Sequence, residues 1–265
     1  MKTGISVFVA TFVALGASWC GFVLAPLLQL GGAKQTVVLQ TTDNWPLQRT
    51  GAATLGLQVY RANGCAACHT ELVRQTGVAF EVLLTSAGNN PAAVSNLISN
   101  LKLAGLTKEE ADDANAKITA IGGKVETRLT ATGADIARGW GLRQSVAADY
   151  LYDQPVQLGS LRAGPDLANI GVRAPDLNWQ LLHLYAPKAV NPNSTMPSFK
   201  FLFEVRKIGN APAPDALHLP KEFAAADGYE IVPKPEAIEL AAYLLSLKAN
   251  QPLYEAPFSP VTAAK

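Results

Sequence analysis

Between Thr3 and Ala33 the chain carries no Asp, Glu, Lys, Arg or His, and this uncharged run limits the fold more than any other feature. Its apolar part, Ile5 to Leu30, exceeds the roughly 20 residues that a helix needs to cross a bilayer. A cleaved export signal is the competing reading. It would be shorter and would end in small residues of Ala-x-Ala type, whereas this run is long and Trp19 stands before Cys20. A retained N-terminal anchor over residues 1–34, in contact with lipid, is therefore expected. Lys2 precedes the span while Lys34 and Arg49 follow it, close to a tie under the positive-inside rule.

The anchor also explains a hydrophobic content of 49% beside only 16% charged residues. With 22 Lys and Arg against 21 Asp and Glu, no overall field recruits nucleic acid. Residues 35–50 read as a polar connector. A helix is expected from about Gly51 to Ala62, carrying Leu55, Val59 and Tyr60. Asn89-Asn90-Pro91 marks a turn, after which Val94, Leu97, Ile98 and Leu101 recur at helical spacing. Thr107-x-x-Glu110 is a capping box that opens a further helix, and Gly122-Gly123 ends it. Residues 76–138 are thus expected to form a mostly helical insertion within a domain spanning 51–250. Trp140 to Phe203 is rich in Gly, Pro and aromatics, as in chains that wrap something. Pro235 with Glu236 opens a last apolar helix, and 251–265 read as a loose tail. No internal repeat is visible.

The chemistry concentrates in "NGCAACHT", Asn63 to Thr70. Cys-x-x-Cys-His is the pattern of covalent haem c, in which two thiols add to the vinyl groups and the next His binds the iron. Two cysteines three apart reach both vinyls from one helical turn, leaving the His over the ring. A zinc site needs two further ligands at close spacing, but His183 and His218 stand far apart. A thiol-redox site needs a βαβ context. Cys65, Cys68 and His69 are therefore expected to hold one haem.

Besides the initiator, the chain has one methionine, Met196, on the Pro-flanked loop "NPNSTMPSFKF". As sixth ligand it would raise the potential and suit electron transfer; the bland reading is a gap-filler in a core. His183 is the rival ligand and an open iron the third alternative. His218 reads as a surface residue. A ligating His is held through its other ring nitrogen, and the Gly-Pro turn of "RAGPDL" offers the Pro165 carbonyl. Arg162, and less so Arg173, are expected to pair with the haem propionates.

In this order, "YRANGCAACHTELVR", "DYLYDQPVQLGSLRAGPDLANIGVR", "LLHLYAPKAV" and "NPNSTMP" resemble the membrane-anchored mono-haem subunit of cbb3-type cytochrome c oxidases (subunit II, FixO/CcoO type). The resemblance implies a mainly α chain: one N-terminal transmembrane helix plus a class I cytochrome c-like haem domain, with the helical insertion as an addition. It implies that Cys65 and Cys68 attach haem c and that His69 and Met196 ligate its iron. It further implies electron transfer from a companion or soluble cytochrome c donor to the catalytic subunit with b haems and copper, where oxygen is reduced. A calcium at that subunit boundary would take an oxygen from Ser160. Leu158, where the family usually has an aromatic, and Ser198-Phe199-Lys200 after Met196-Pro197 depart from the family pattern. Haem c is attached outside the cytoplasmic membrane, so a single-pass chain with its head on the periplasmic side is expected. Alternatives are a cytochrome c subunit of a nitric oxide reductase, a free-standing membrane electron carrier, or a gas-binding haem sensor.

Overall fold

The computed structural model describes residues 2–32 and 34–258, so the end of the expected tail lies outside the described residues. Helices α1 (Lys2–Trp19) and α2 (Ala25–Leu30) are joined by a wider π-type turn at Cys20–Leu24. Together they contain a 26-residue apolar stretch, Gly4–Gln29, with none of its side chains buried. At 1.5 Å per residue it is about 39 Å long, enough to cross a hydrocarbon layer of about 30 Å. Phe8, Phe22 and Leu28 point outward, as side chains that meet lipid should.

The connector is more ordered than expected. Strands β1 (Thr36–Val37) and β2 (Asn44–Trp45) pair as a minimal hairpin. The Gln35 amide donates to the Pro46 carbonyl at 2.8 Å. Helix α3 (Ala52–Ala62) follows, as the sequence predicts.

Residues 76–138 correct the helical expectation. Strands β3 (Gly77–Ser86) and β4 (Lys124–Thr132) pair antiparallel along their lengths. Helices α4 (Pro91–Ser99) and α5 (Lys108–Ala120) lie between them in sequence. Alternation of Val78, Phe80, Val82 and Leu84 places these side chains on one face. Val82, Val94, Leu106, Ala111, Ala114 and Ile118 form a separate buried core there. Leu103 to Leu106 borders the free edge of β3, with the Phe80 N–H donating to the Leu106 carbonyl at 2.9 Å. The helix signals themselves act as read. Asn90 caps α4; Thr107 and Glu110 exchange both capping-box bonds, at 2.9 and 3.2 Å. Gly122, at φ 89°, ends α5.

The remaining elements build the head: α6 (Ala134–Ala137), α7 (Ile170–Arg173), α8 (Leu177–Tyr185), α9 (Pro187–Val190), β5 (Phe203–Lys207), β6 (Tyr229–Pro233) and α10 (Pro235–Ser246). Strands β5 and β6 pair antiparallel. Helices α3 and α10 cross with almost no gap at Gly56, where an added Cβ would stand 1.9 Å from the Glu239 carbonyl oxygen. Tyr60, Leu181, Leu184, Leu240, Tyr243 and Leu244 form the core between α3, α8 and α10. Residues 251–258 are not a loose tail. Leu253, Ala256 and Phe258 are buried, and the fully buried Arg143 donates to the Gln251 carbonyl. Its guanidinium also binds both oxygens of Asp149, at 2.7 and 2.9 Å.

Candidate functional site

Helix α3 delivers the motif. Gly64, in a left-handed conformation at φ 65°, turns the chain, and Cys65–Ala67 forms a single 3-10 turn. The Cys68 and His69 amides donate to the Cys65 carbonyl at 3.1 and 3.0 Å. Both thiols and the imidazole therefore issue from one tight loop. Cys65 is half-buried and Cys68 exposed; burial pushes the Cys65 thiol up to about 11.

His69 is held from behind. Its Nδ1 lies 2.8 Å from the Pro165 carbonyl oxygen. A carbonyl can only accept, so Nδ1 carries the proton and Nε2 keeps its lone pair for a ligand bond. The Gly164 N–H donates to the Cys68 carbonyl at 2.9 Å. A Cβ on Gly164 would come within 2.2 Å of His69 Cε1, so the imidazole lies flat on this turn only because residue 164 has no side chain. Asp166, fully buried, fixes the chain after the motif. It accepts from the Thr70 hydroxyl at 2.6 Å, the Leu72 amide at 2.7 Å and the Ala168 amide at 2.9 Å. The packing role of Gly164 and the anchoring role of Asp166 had only one signal in the sequence, their place on either side of Pro165 in "RAGPDL".

Beside the motif lies a cavity of about 290 Å³, largely apolar, lined by Cys65, His69 and Pro165. Met196 lines the same cavity from the loop beyond α9, with its amide donating to Ser194 Oγ at 3.2 Å. The fold thus brings together residues that stand 127 positions apart in the chain, His69 and Met196.

Three polar groups on the cavity wall are unfinished. Tyr60 Oη, Arg173 Nε and His183 Nδ1 are buried without a hydrogen-bond partner, a costly state for polar atoms. Burial, reinforced by nearby His69, lowers the basicity of His183. His183 also packs against Trp179, with ring centroids 5.0 Å apart and the planes tilted by 32°. Burial likewise weakens the Arg173 cation, against the pull of Asp166. An apolar cavity with donors stranded on its wall suits an occupant that is flat, greasy and anionic at its edge, as a haem is. The residues present fit that group.

Arg162 stands elsewhere than expected. It is absent from the cavity wall; its Nη1 binds both oxygens of Asp135 at 2.7 Å, and its Nε donates to Thr70 Oγ1 at 3.1 Å. The charge of Arg162 is thus already paired with Asp135, whereas Arg173 keeps a stranded N–H on the cavity. Ser160 is exposed, with its amide donating to the Ala66 carbonyl at 3.1 Å. Among the described residues no group of three or more His, Cys, Asp or Glu is placed to hold a metal ion, so the zinc alternative finds no ligand set there. His218 is exposed.

Two residues past the motif, Glu71 is buried and accepts from the Tyr243 hydroxyl at 2.9 and 3.0 Å. Burial pushes its carboxyl up to about 8, with Tyr243 and the Arg49 charge pulling the other way.

Residues 134–226 match the family model described as cytochrome C oxidase, mono-heme subunit/FixO. The matched stretch begins just past β4 and contains Pro165, Arg173, His183 and Met196, while the anchor, the Cys-x-x-Cys-His motif and the β3–β4 insertion lie before it. A comparison with curated proteins gives no match. The family match supports a FixO/CcoO-type subunit, one mono-haem part of a cytochrome c oxidase, and the apolar Gly4–Gln29 helix accords with membrane anchoring.

Proposed function

We propose, from the premise of a FixO/CcoO-type mono-haem subunit, that this chain is the electron-transfer subunit of a cbb3-type haem–copper oxidase. It takes electrons from a donor cytochrome c and hands them to the catalytic subunit that reduces oxygen. One observation carries this reading: a His69 imidazole locked by Pro165 at 2.8 Å and a Met196 thioether from a separate loop line one cavity.

When bound, haem supplies a one-electron iron couple; the residues of the chain set its place and potential. Cys65 and Cys68 would tether it through thioether bonds. His69 offers Nε2 because Pro165 holds the proton at Nδ1. Met196 would offer its thioether sulfur to the iron as a second ligand beside the His69 nitrogen, which favours the ferrous state and raises the potential. Arg173, whose stranded Nε shares the cavity wall with His183 and Tyr60, would pair with a propionate. Leu167, Ile170, Leu240 and Leu244 keep water off the ring. The chain performs no substrate chemistry of its own. Its Gly4–Gln29 helix holds the head at the cytoplasmic membrane, with the head on the outer side where haem c is attached.

Met196→Ala tests the assignment. The haem should remain covalently bound, its potential should fall, and the ferrous form should bind carbon monoxide, which the wild type should resist. Wild-type protein that already binds carbon monoxide readily would favour a gas-binding haem protein. A potential and spectrum unaltered by the substitution would place the sixth ligand elsewhere, with His183 next to be replaced.

A further inference from the structure

We propose that two copies of this chain pair edge to edge through strand β4 of the insertion, antiparallel, with Thr127 on the two-fold axis. Strand β4 lies before residues 134–226, the stretch that matches the oxidase subunit family. The contact therefore belongs to this chain's own addition and stands whether or not the electron-transfer reading does.

An uncovered strand edge is the first observation. The Phe80 N–H and carbonyl both bond Leu106, and the Val82 N–H donates to the Leu103 carbonyl at 2.8 Å. These two residues of β3 thus turn their backbone groups away from β4. In an antiparallel pair, opposite residues either face one another or both face outward. Leu129 and Thr127 stand opposite Phe80 and Val82, so their N–H and carbonyl groups point out of the sheet on the β4 side, as do those of Val125. Among the described residues no backbone group outside β3 bonds these three. One edge of the hairpin is therefore covered by Leu103–Leu106, while the other, nine residues long, is open. A long open edge is a template for another strand.

The order of charges is the second observation, and it names the occupant. Lys124, Glu126 and Arg128 share one face of β4. When the strand meets a second copy of itself about Thr127, Glu126 of each copy stands opposite Arg128 of the other. Moving the axis to Glu126 or to Arg128 sets like charges opposite one another, which is destabilising. Moving it farther strips the ladder of its ends or of its ion pairs. The backbone selects the same register. Val125 faces Leu129 and Thr127 faces Thr127, all of them residues with outward N–H and carbonyl groups, so each pair exchanges two bonds. On the face toward α4 and α5, Val125 packs on Leu129 of the second copy and the two Thr127 side chains meet, pairs of a kind that sheets favour. Charges on an edge normally keep other strands away. Here their spacing rejects shifted registers and admits the strand's own copy.

A ladder of this length is smaller than the interfaces of freely diffusing partners. The apolar Gly4–Gln29 helix accords with membrane anchoring, and two copies held in one membrane meet at a raised effective concentration.

The test uses the full haem-matured chain in liposomes, with Cys20→Ser as the parent that sets the cross-linking background. Thr127→Cys in that parent places two thiols on the axis, on Cα atoms about 5.5 Å apart. A short bis-maleimide should then give a species of twice the chain mass, at least tenfold above the parent and above Ser95→Cys, which is exposed on α4. Adding Glu126→Lys should cut this yield at least fivefold, and adding Arg128→Glu to that variant should restore it. Amide protection around Val82 and Ile118 should stay as in wild type throughout, which separates lost pairing from lost folding. A Thr127→Cys yield no higher than that of Ser95→Cys overturns the proposal. So does a yield indifferent to Glu126→Lys, or one that the charge swap fails to restore. In native membranes, a Thr127→Cys cross-link that runs only to a chain of another mass would assign the edge to a foreign strand and overturn it as well.

Discussion

Among the described residues two hydrophobic cores form outside the apolar N-terminal helix, and only one is complete by itself. The core of the β3–β4 insertion closes around Val82, Val94 and Ile118, which are 1%, 0% and 0% exposed. Among the described residues, every buried side-chain polar atom without a partner lies in the head: Tyr60, Asn169, Arg173 and His183. Three of those four residues face the cavity that His69 and Met196 share. A core that leaves donors stranded around a void is built for a guest. The insertion needs none.

The contrast is broken most forcefully by withholding the guest. Cys65→Ala with Cys68→Ala should abolish covalent haem retention. Amide exchange in α8 and α10 should then accelerate by orders of magnitude, since a ligand bound only by the folded state stabilises it by mass action. Amides near Val82 and Ile118 should stay protected as in wild type. Equal loss of protection in both regions would show a single cooperative unit.

A second difference is electrostatic. The ion pairs of α5, Lys108–Asp112 and Lys117–Asp113, are exposed, whereas the head buries Glu71. Its carboxyl is raised from 4.5 to about 8, so the folded state holds a proton that the unfolded chain releases earlier. That stability is fully present below pH 4.5 and is lost as pH rises through about 8. Denaturant melts of the head should weaken across this window, and Glu71→Gln should flatten the slope. A slope unchanged in Glu71→Gln would assign the titration to another group.

Ile118→Ala, which empties part of the insertion core, should cost about 3 kcal/mol there and leave haem spectrum and potential untouched. A shifted potential would mean that the two cores are coupled. Smallest of all, Thr107→Ala removes the α5 cap and should cost about 1 kcal/mol in the insertion alone, measurable as faster exchange in the first turn of α5.

Legibility in the sequence followed how local each signal was. Helix α3, the Thr107–Glu110 box, the stop at Gly122 and the start of α10 at Pro235 could be read from a few adjacent residues, and they stand where expected. The β3–β4 pairing could not. Ala79 and Leu83 interrupt the alternation of Val78, Phe80, Val82 and Leu84, and the polar partner Lys124–Thr132 lies some 40 residues on. The destination of Arg162 was likewise hidden, because Asp135, its counter-charge, belongs to a segment with no sequence link to the "RAGPDL" turn. The Pro165 contact to His69 was readable because a ligating imidazole needs a carbonyl behind it, and a Gly-Pro turn is the nearest place to find one. The residues that crowd it, Gly164 and Asp166, emerge only when the turn is seen packed on the ring.

The measurement that bears most directly on the whole account is the alkaline pyridine spectrum of the purified full chain after export with haem maturation. One haem per chain, joined by two thioether bonds and resistant to acid–acetone extraction, is the result expected from Cys65, Cys68 and the cavity beside them. A chain that comes through the same maturation colourless, or whose haem washes out with solvent, would contradict it.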